Sequence, residues 1–564
     1  MKLIENKMSD YRIVIADNAD EAIRYAADEL AKYLEQMSGV KLPVVCDAAE
    51  PTEKEIVIGS TNRAGAPCTA GLIHDGYIHK TVEEKLFIAG ENSRACLQGV
   101  YQLLENELGC RFLSKNVEKI PTRSVICLPE LDKTVISPLE YRETFWFDVE
   151  YDPDFNVKRG FNSFYYHNQS PRHGGGMQYW GFDHTLFNYV SPDEYFDEHP
   201  EYFAMVDGVR VREHTQLCLT NPEVIEITKR KLRQNIIEHP DCRIFSLSQL
   251  DWYNFCTCPE CARVDEEEGS HAGTMIRFVN AVAADIAEDY PDVIVDTFAY
   301  HYTRKPPKYV RPLPNVCVRV CSIECCFAHP IDQCDHEYNP GRSLFRDDIQ
   351  QWAQICNHMY VWDYTTNYHH YLAPFPNFHT LQGNMKFFLK NGVKGLFEQG
   401  NYHSISGEFA ELRIYLISKL MWNPDIDVEQ VMDEFLTGYY GLAAAPIRKY
   451  IRLLTDHLVQ NNVHMRINDD PRTYITDEAL EAADALWDEA EALAADEAEL
   501  TRIRRSRIQV RYCQLQRMTL ENPEREGLLD DFERDIQAFG ITHIREFRPW
   551  QETMKVLRAG GPYK

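Results

Sequence analysis

The sequence predicts a (β/α)8 TIM barrel, an α/β fold, set between a small N-terminal α/β domain and a C-terminal helical region. Three observations predict it. In the middle of the chain, short apolar runs end in acidic or aromatic residues: Ile244–Phe245–Ser246–Leu247–Ser248 leads into Gln249–Leu250–Asp251–Trp252, Met359–Tyr360–Val361 into Trp362–Asp363–Tyr364, and Val393–Lys394–Gly395–Leu396–Phe397 into Glu398–Gln399. Helical stretches such as Pro222–Ile237 and Ala272–Ala287 separate several of these runs, the alternation of a parallel β/α barrel. On either side the pattern changes, to short strands and two amphipathic helices before it and to helices alone after it.

Residues 1–135 read as the α/β domain. Tyr11–Ala16 is its first strand, and Asp17 or Asn18 caps a helix whose apolar residues Ile23, Ala26, Ala27, Leu30, Leu34 and Met37 recur at three and four. Gly39 closes that helix, and Leu42–Val45, Glu55–Gly59 and Lys85–Gly90 follow as strands. A second helix carries Ala95, Val100, Leu103, Leu104 and Leu108 inward. The turns at Gly59 and Gly90 lack the glycine-rich loop and Lys-Ser/Thr pair of a phosphate cradle, which argues against nucleotide binding. Leu128–Asp132 reads as a linker. The barrel is expected over 136–405, its eight candidate strands beginning near Tyr141, Phe161, Phe203, Ile244, Val293, Val316, Met359 and Val393. Residues 406–564 read as helical. Ten acids and no base lie between Ile475 and Leu500, with Thr476 placed to cap, and Arg502, Arg504, Arg505, Arg507 and Arg511 load the next stretch with positive charge. The two runs either face solvent or pair across a helical hairpin.

Composition narrows the function classes. With 44% hydrophobic and 26% charged residues the chain is globular, and 564 residues call for more than one domain. A net charge of −28 argues against nucleic acid and against anionic membranes. No apolar run is long enough to span a bilayer, and Met1–Lys7 lacks the apolar core of a signal peptide, so a cytoplasmic location is expected. Seventeen irregularly spaced cysteines suit reduced thiols better than a disulfide framework. A homo-oligomer is left open.

Strand ends rich in acids and aromatics are suited to cleaving sugars, since acids move protons and flat rings stack on pyranoses. Asp251 and Glu398 are the candidate catalytic carboxylates, with Glu324 and Asp363 completing the set. The competing reading of each is a strand-end carboxylate that caps a helix or pairs with Arg. His167, Asn168, Trp252, Tyr300, His301, Glu324, Trp362, Asp363, Tyr364 and Tyr402 are the candidate substrate-binding residues, Tyr and His recurring side by side where a core alone does not require their polar tips. No His-Glu-x-x-His spacing supports a histidine metal site. In Cys256–Thr257–Cys258–Pro259–Glu260–Cys261, reduced cysteines folding a loop are preferred and no cofactor is expected. Zinc on Cys256, Cys258 and Cys261, with His271 or another cysteine as fourth ligand, is the alternative.

Several separated motifs, in order, resemble a bacterial family catalogued as a domain of unknown function, DUF4838, which includes the endo-β-N-acetylglucosaminidases of glycoside hydrolase family 163. They are Gly99–Glu105 with Leu108–Phe112, His199–Phe203, Gln216–Pro222, Ser246–Asp251 with its cysteine loop, Trp362–Tyr364, Gly392–Gly395, Glu411–Arg413 with Leu420–Pro424, and Tyr439–Gly441. The N-terminal domain is similar to the one that precedes the barrel in α-glucuronidases and family 20 hexosaminidases. The resemblance implies a retaining hydrolase acting on an oligosaccharide or glycoside at an N-acetylhexosamine, with or without assistance from the substrate's acetamide, and with Asp251 and Glu398 at matching strand ends. Leu250 stands where the family pattern carries Asn. The alternatives are an exo-acting uronidase, whose substrate carboxylate Arg159, Arg172 or Arg319 would hold, and a carbohydrate-binding barrel without chemistry.

Overall fold

A computed structural model describes residues 1–166, 170–336, 343–405 and 407–560. The chain divides into two compact units, one comprising Met1–Gly176, Thr365–Gln382 and Gln399–Lys564, the other Met177–Tyr364 and Gly383–Glu398.

The first unit begins with a six-stranded sheet in the order Asp132–Val135, Tyr77–Val82, Lys85–Gly90, Glu55–Ile58, Arg12–Ile15 and Val44–Cys46. Its strands alternate strictly. Ile13, Ile15, Ile56, Ile58, Leu86 and Ile88 join the helices Glu21–Ser38 and Ser93–Asn106 in one core, whereas Val14, Val57 and Phe87 cluster separately. The first helix is capped by Asp20, whose carboxylate accepts from the Ile23 N–H, and not by Asp17 or Asn18. Gly39 ends it at φ 76°, as its position predicts. The expected linker is packed: Leu128 and Leu131 are buried in the core, and Asp132 starts the edge strand.

The helices of the C-terminal part also belong to this unit. Thr476 caps Asp477–Ala492 through the Ala479 N–H, and the acidic and basic runs pair across the hairpin, Arg507 reaching Asp484 at 2.6 Å and Arg504 reaching Glu491 at 3.0 Å. Among the described residues no helix is long and apolar enough to cross a membrane.

The second unit carries β1 (Tyr179–Trp180), β2 (Ile244–Ser246), β3 (Ile294–Ala299), β4 (Val316–Cys321), β5 (Met359–Tyr364) and β6 (Val393–Gln399), neighbours in that same order. The pairings run parallel, with Ile244 opposite Ile294, Val295 opposite Val316 and Val318 opposite Met359. Among the described residues the sheet that holds these strands numbers seven, against the eight of the expected barrel.

Two expected strands do not form. At Phe161 the neighbouring Asn162 gives its N–H to the Arg142 carbonyl and takes the Arg142 N–H on its side-chain oxygen, so a side chain replaces the ladder. Phe203 makes one antiparallel bridge to Leu217, and the chain then turns through Asp207 and Gly208, both at positive φ, in a hairpin of Met205–Val206 with Val209–Arg210. Strand β1, only two residues long, was not anticipated.

The interior of this unit is organised by an ion pair. Asp296 on β3 and Arg319 on β4 are fully buried 2.6 Å apart, and the guanidinium lies within 5.4 Å of the rings of Tyr179, Phe182, Phe298 and Trp362.

Candidate active site

The carboxylates singled out in the sequence lie at or just beyond the C-terminal ends of β2, β4, β5 and β6, the end at which barrel enzymes assemble their sites. Their environments differ sharply.

Asp363 and Glu398 are the penultimate residues of adjacent strands, 3% and 4% exposed. Burial, and then the carboxyl of Asp363, pushes Glu398 well above the ordinary carboxylate range. Burial raises Asp363 up to about 6 against the pull of the Ser322 hydroxyl and the Tyr364 N–H. Ser322 donates to Asp363 at 2.5 Å. A carboxyl raised by burial and by a neighbouring acid favours its protonated form, which is what a proton donor needs.

Asp251 is exposed, on the loop after β2, and accepts a 2.8 Å hydrogen bond from the Tyr300 hydroxyl. Burial and the Asp251 carboxylate raise Tyr300, so its hydroxyl stays a donor. The loop is pinned by amides. Gln216 donates to the carbonyls of Leu250 and Trp252, both at 2.7 Å, and accepts from the Leu250 N–H at 2.9 Å. Gln249 donates to the Tyr300 carbonyl and accepts from the Thr303 hydroxyl. His301 sits at φ 52°, the left-handed region that non-glycine residues adopt at a cost, with its Nδ1 2.8 Å from the Tyr253 hydroxyl. Trp252 and Tyr253 project into solvent beside it, 45% and 50% exposed.

The other candidates fall into four groups. Glu324 is a paired carboxylate, 2.8 Å from Arg304, which also holds Asp348 at 2.7 Å. Trp362 and Tyr364 flank Asp363 on β5 and are buried, Trp362 packing on Phe397 and the Arg319 cluster. Tyr402 belongs to the first unit, where it stacks on Phe145 at 4.2 Å and donates to Glu546 at 2.9 Å. His167 and Asn168 lie outside the described residues.

Sequence reading missed Ser322, Gln216 and Gln249, whose roles depend on partners far along the chain. It also missed Glu143 and Glu150 in the first unit, where burial and the Glu143 carboxyl raise Glu150 to about 8 while the N–H groups of Tyr165 and Tyr166 hold it. Glu143 did leave a signal: a charged residue inside the wholly buried strand Tyr141–Phe145.

The arginines considered for a substrate carboxylate are engaged. Arg159 bonds Glu105 and Ser418, Arg172 bonds Asp154, and Arg319 bonds Asp296. Of the groups that could hold a metal, Cys256, Cys258 and Cys261 are buried at the foot of the Asp251 loop together with Cys218. His271, considered as a fourth ligand, bonds Asp265 at 2.6 Å instead.

The model of the family described as a domain of unknown function (DUF4838) matches residues 112–452, well over half of the chain, and that of the glycosyl hydrolase family 67 N-terminus matches residues 4–103. No curated protein matches. Among solved structures, a family GH115 4-O-methyl-α-glucuronidase, BtGH115A, with specificity for decorated arabinogalactans, aligns at a TM-score of 0.61 and 11% identity, covering 100% of this chain and 80% of that one. This likeness shows the shared fold. A GH138 enzyme targeting pectin rhamnogalacturonan II aligns at 0.47 and 9% identity over 98% of both chains. A mutant Streptomyces plicatus β-hexosaminidase in complex with its product GlcNAc aligns at 0.45 and 13% identity over 79% of this chain and 92% of that one.

Proposed function

The chain belongs to the DUF4838 family, and we propose that it hydrolyses a glycosidic bond, with Glu398 as proton donor to the leaving oxygen and Asp251 as the second carboxylate. One observation carries the reading: Glu398 is a buried acid whose surroundings favour its protonated form, at the C-terminal end of β6 in the unit whose strands β2 and β3 lead into Asp251, Trp252, Tyr300 and His301. Carboxyls in such unlike environments divide the roles of a glycosidase, the apolar one giving a proton and the solvated one meeting positive charge at the anomeric carbon.

The sugar we propose is an N-acetylhexosamine. Engagement of Arg159, Arg172 and Arg319 supports it over a uronic acid, whose carboxylate needs a cation to hold it. The rival, an exo-acting uronidase, draws its support from the family 67 match at the N-terminus. Nitrophenol release from the N-acetyl-β-glucosaminide against that from the glucuronides separates the two. Turnover of the first, lost by two to three orders of magnitude in Asp251→Asn, is the expected result. Turnover of the glucuronides alone rejects the sugar. Binding of chito-oligosaccharides with no turnover of any glycoside rejects the enzyme in favour of a carbohydrate-binding protein.

A further inference from the structure

The cysteine loop supplies a feature that the proton chemistry does not use. Cys218, Cys256, Cys258 and Cys261 are all buried, and their four sulfurs lie within 4.8 Å of one another. Cys218 Sγ is 3.7 Å from that of Cys258 and 3.9 Å from that of Cys261. These are not disulfide separations, which are close to 2.05 Å. They match the edge of a tetrahedron: four sulfurs each about 2.3 Å from a central zinc stand roughly 3.8 Å apart. We propose that these four cysteines bind one structural zinc ion.

The surroundings are built for thiolates. Cys258 and Cys261 form a Cys-x-x-Cys knuckle at the start of the helix Pro259–Glu268, and Cys256 precedes them. Cys218 arrives from a segment nearly forty residues upstream, the reason three cysteines were visible in the sequence and the fourth was not. The Met205 N–H points at Cys256 Sγ at 3.3 Å, and the Thr220 hydroxyl lies 3.2 Å from Cys261 Sγ. Donors of this kind orient and stabilise metal-bound sulfur. Four thiolates around Zn²⁺ leave a net charge of −2, and the Arg210 guanidinium, 3.7 Å from Cys256 Sγ, offsets part of it. Ala204, Met205 and Val206 close the site with apolar surface.

Zinc here ties the segment around Cys218 to the loop 256–261, the two ends of the span that carries Asp251 and Trp252. Gln216, two residues before Cys218, already bonds the carbonyls on either side of Asp251. The ion therefore fixes the loop whatever reaction the protein performs.

The test is elemental analysis of the full chain purified without chelator. One zinc per chain is expected, falling to background in Cys218→Ser and in Cys261→Ser but not in the control Cys356→Ser. Should the serine variants fail to fold, the wild-type protein still decides: titration with a mercurial thiol reagent should release one zinc, read with a chromogenic chelator, as four thiols react. Replacement with cobalt should give the intense visible bands of a tetrahedral tetrathiolate. Metal-free protein that retains its melting temperature, iron in place of zinc, or fewer than seventeen titratable thiols in denaturant owing to disulfides at this loop would each overturn the proposal.

Discussion

Glu105 in the first unit and Glu398 in the second are chemically the same residue, 2% and 4% exposed, and their surroundings shift them in opposite directions. Glu105 receives Arg159 at 2.8 Å and Lys419 at 3.3 Å, and these cations hold it down to about 2 against burial. Glu398 meets the carboxyl of Asp363, and burial and that neighbour together raise it. Asp251 adds a third condition, a carboxylate facing solvent with a tyrosine hydroxyl to orient it. A buried acid that serves packing is neutralised by cations. A buried acid kept as an acid is neutralised by its own proton, at a cost in stability, and such groups concentrate where chemistry is done.

The contrast can be broken at either member. The largest effect is expected at Glu398→Gln, which keeps shape but removes the transferable proton: turnover should fall by roughly 10²–10⁴-fold, most for poor leaving groups, with the melting temperature at neutral pH unchanged or raised. Glu105→Gln should do the reverse. It strands the buried Arg159 guanidinium and should cost about 3–5 kcal/mol in denaturant unfolding, while kcat in the folded fraction stays near that of the parent protein.

Asp363→Asn probes the buried pair through pH. The carboxyl of Asp363 sits at about 6 in the fold against 3.8 ordinarily, so the folded state binds more protons than the unfolded state between those values and stability falls as pH rises through that window. Relative to the parent protein, the variant should gain nothing below the window and on the order of 3 kcal/mol above it, measured by urea melts across pH. The same change removes the charge that helps raise Glu398, so the basic limb of the kcat/KM profile should move to lower pH. The smallest effect is expected at Trp252→Ala. This exposed ring can offer only stacking, so its loss should raise KM by about tenfold or less with kcat preserved.

The sequence revealed the strand ends because a buried parallel strand is a short apolar run and a carboxylate can only stand where the run stops. Asp251, Glu324, Asp363 and Glu398 were all legible on that ground. Which partner each of them meets was not, because the Arg304 cation lies 20 residues from Glu324 and the Ser322 hydroxyl 41 residues from Asp363, and pairing at such a range leaves no local pattern. The same limit hid Cys218 while its three partners stood out. Strand count failed for a different reason: Phe161 opens an aromatic-rich stretch, Phe161–Tyr166, but Asn162 competes for the Arg142 backbone, and Tyr179–Trp180 is too short to show alternation.

Infrared difference spectroscopy of the carboxyl C=O stretch, comparing the parent protein with Glu398→Gln across pH, tests the protonation state of Glu398 most directly. A protonated-carboxyl band at pH 7 is expected in the parent protein and is expected to be missing from the variant. A spectrum in which that band is already lost by pH 5–6, as for a carboxyl of ordinary pKa near 4.3, would contradict a protonated Glu398.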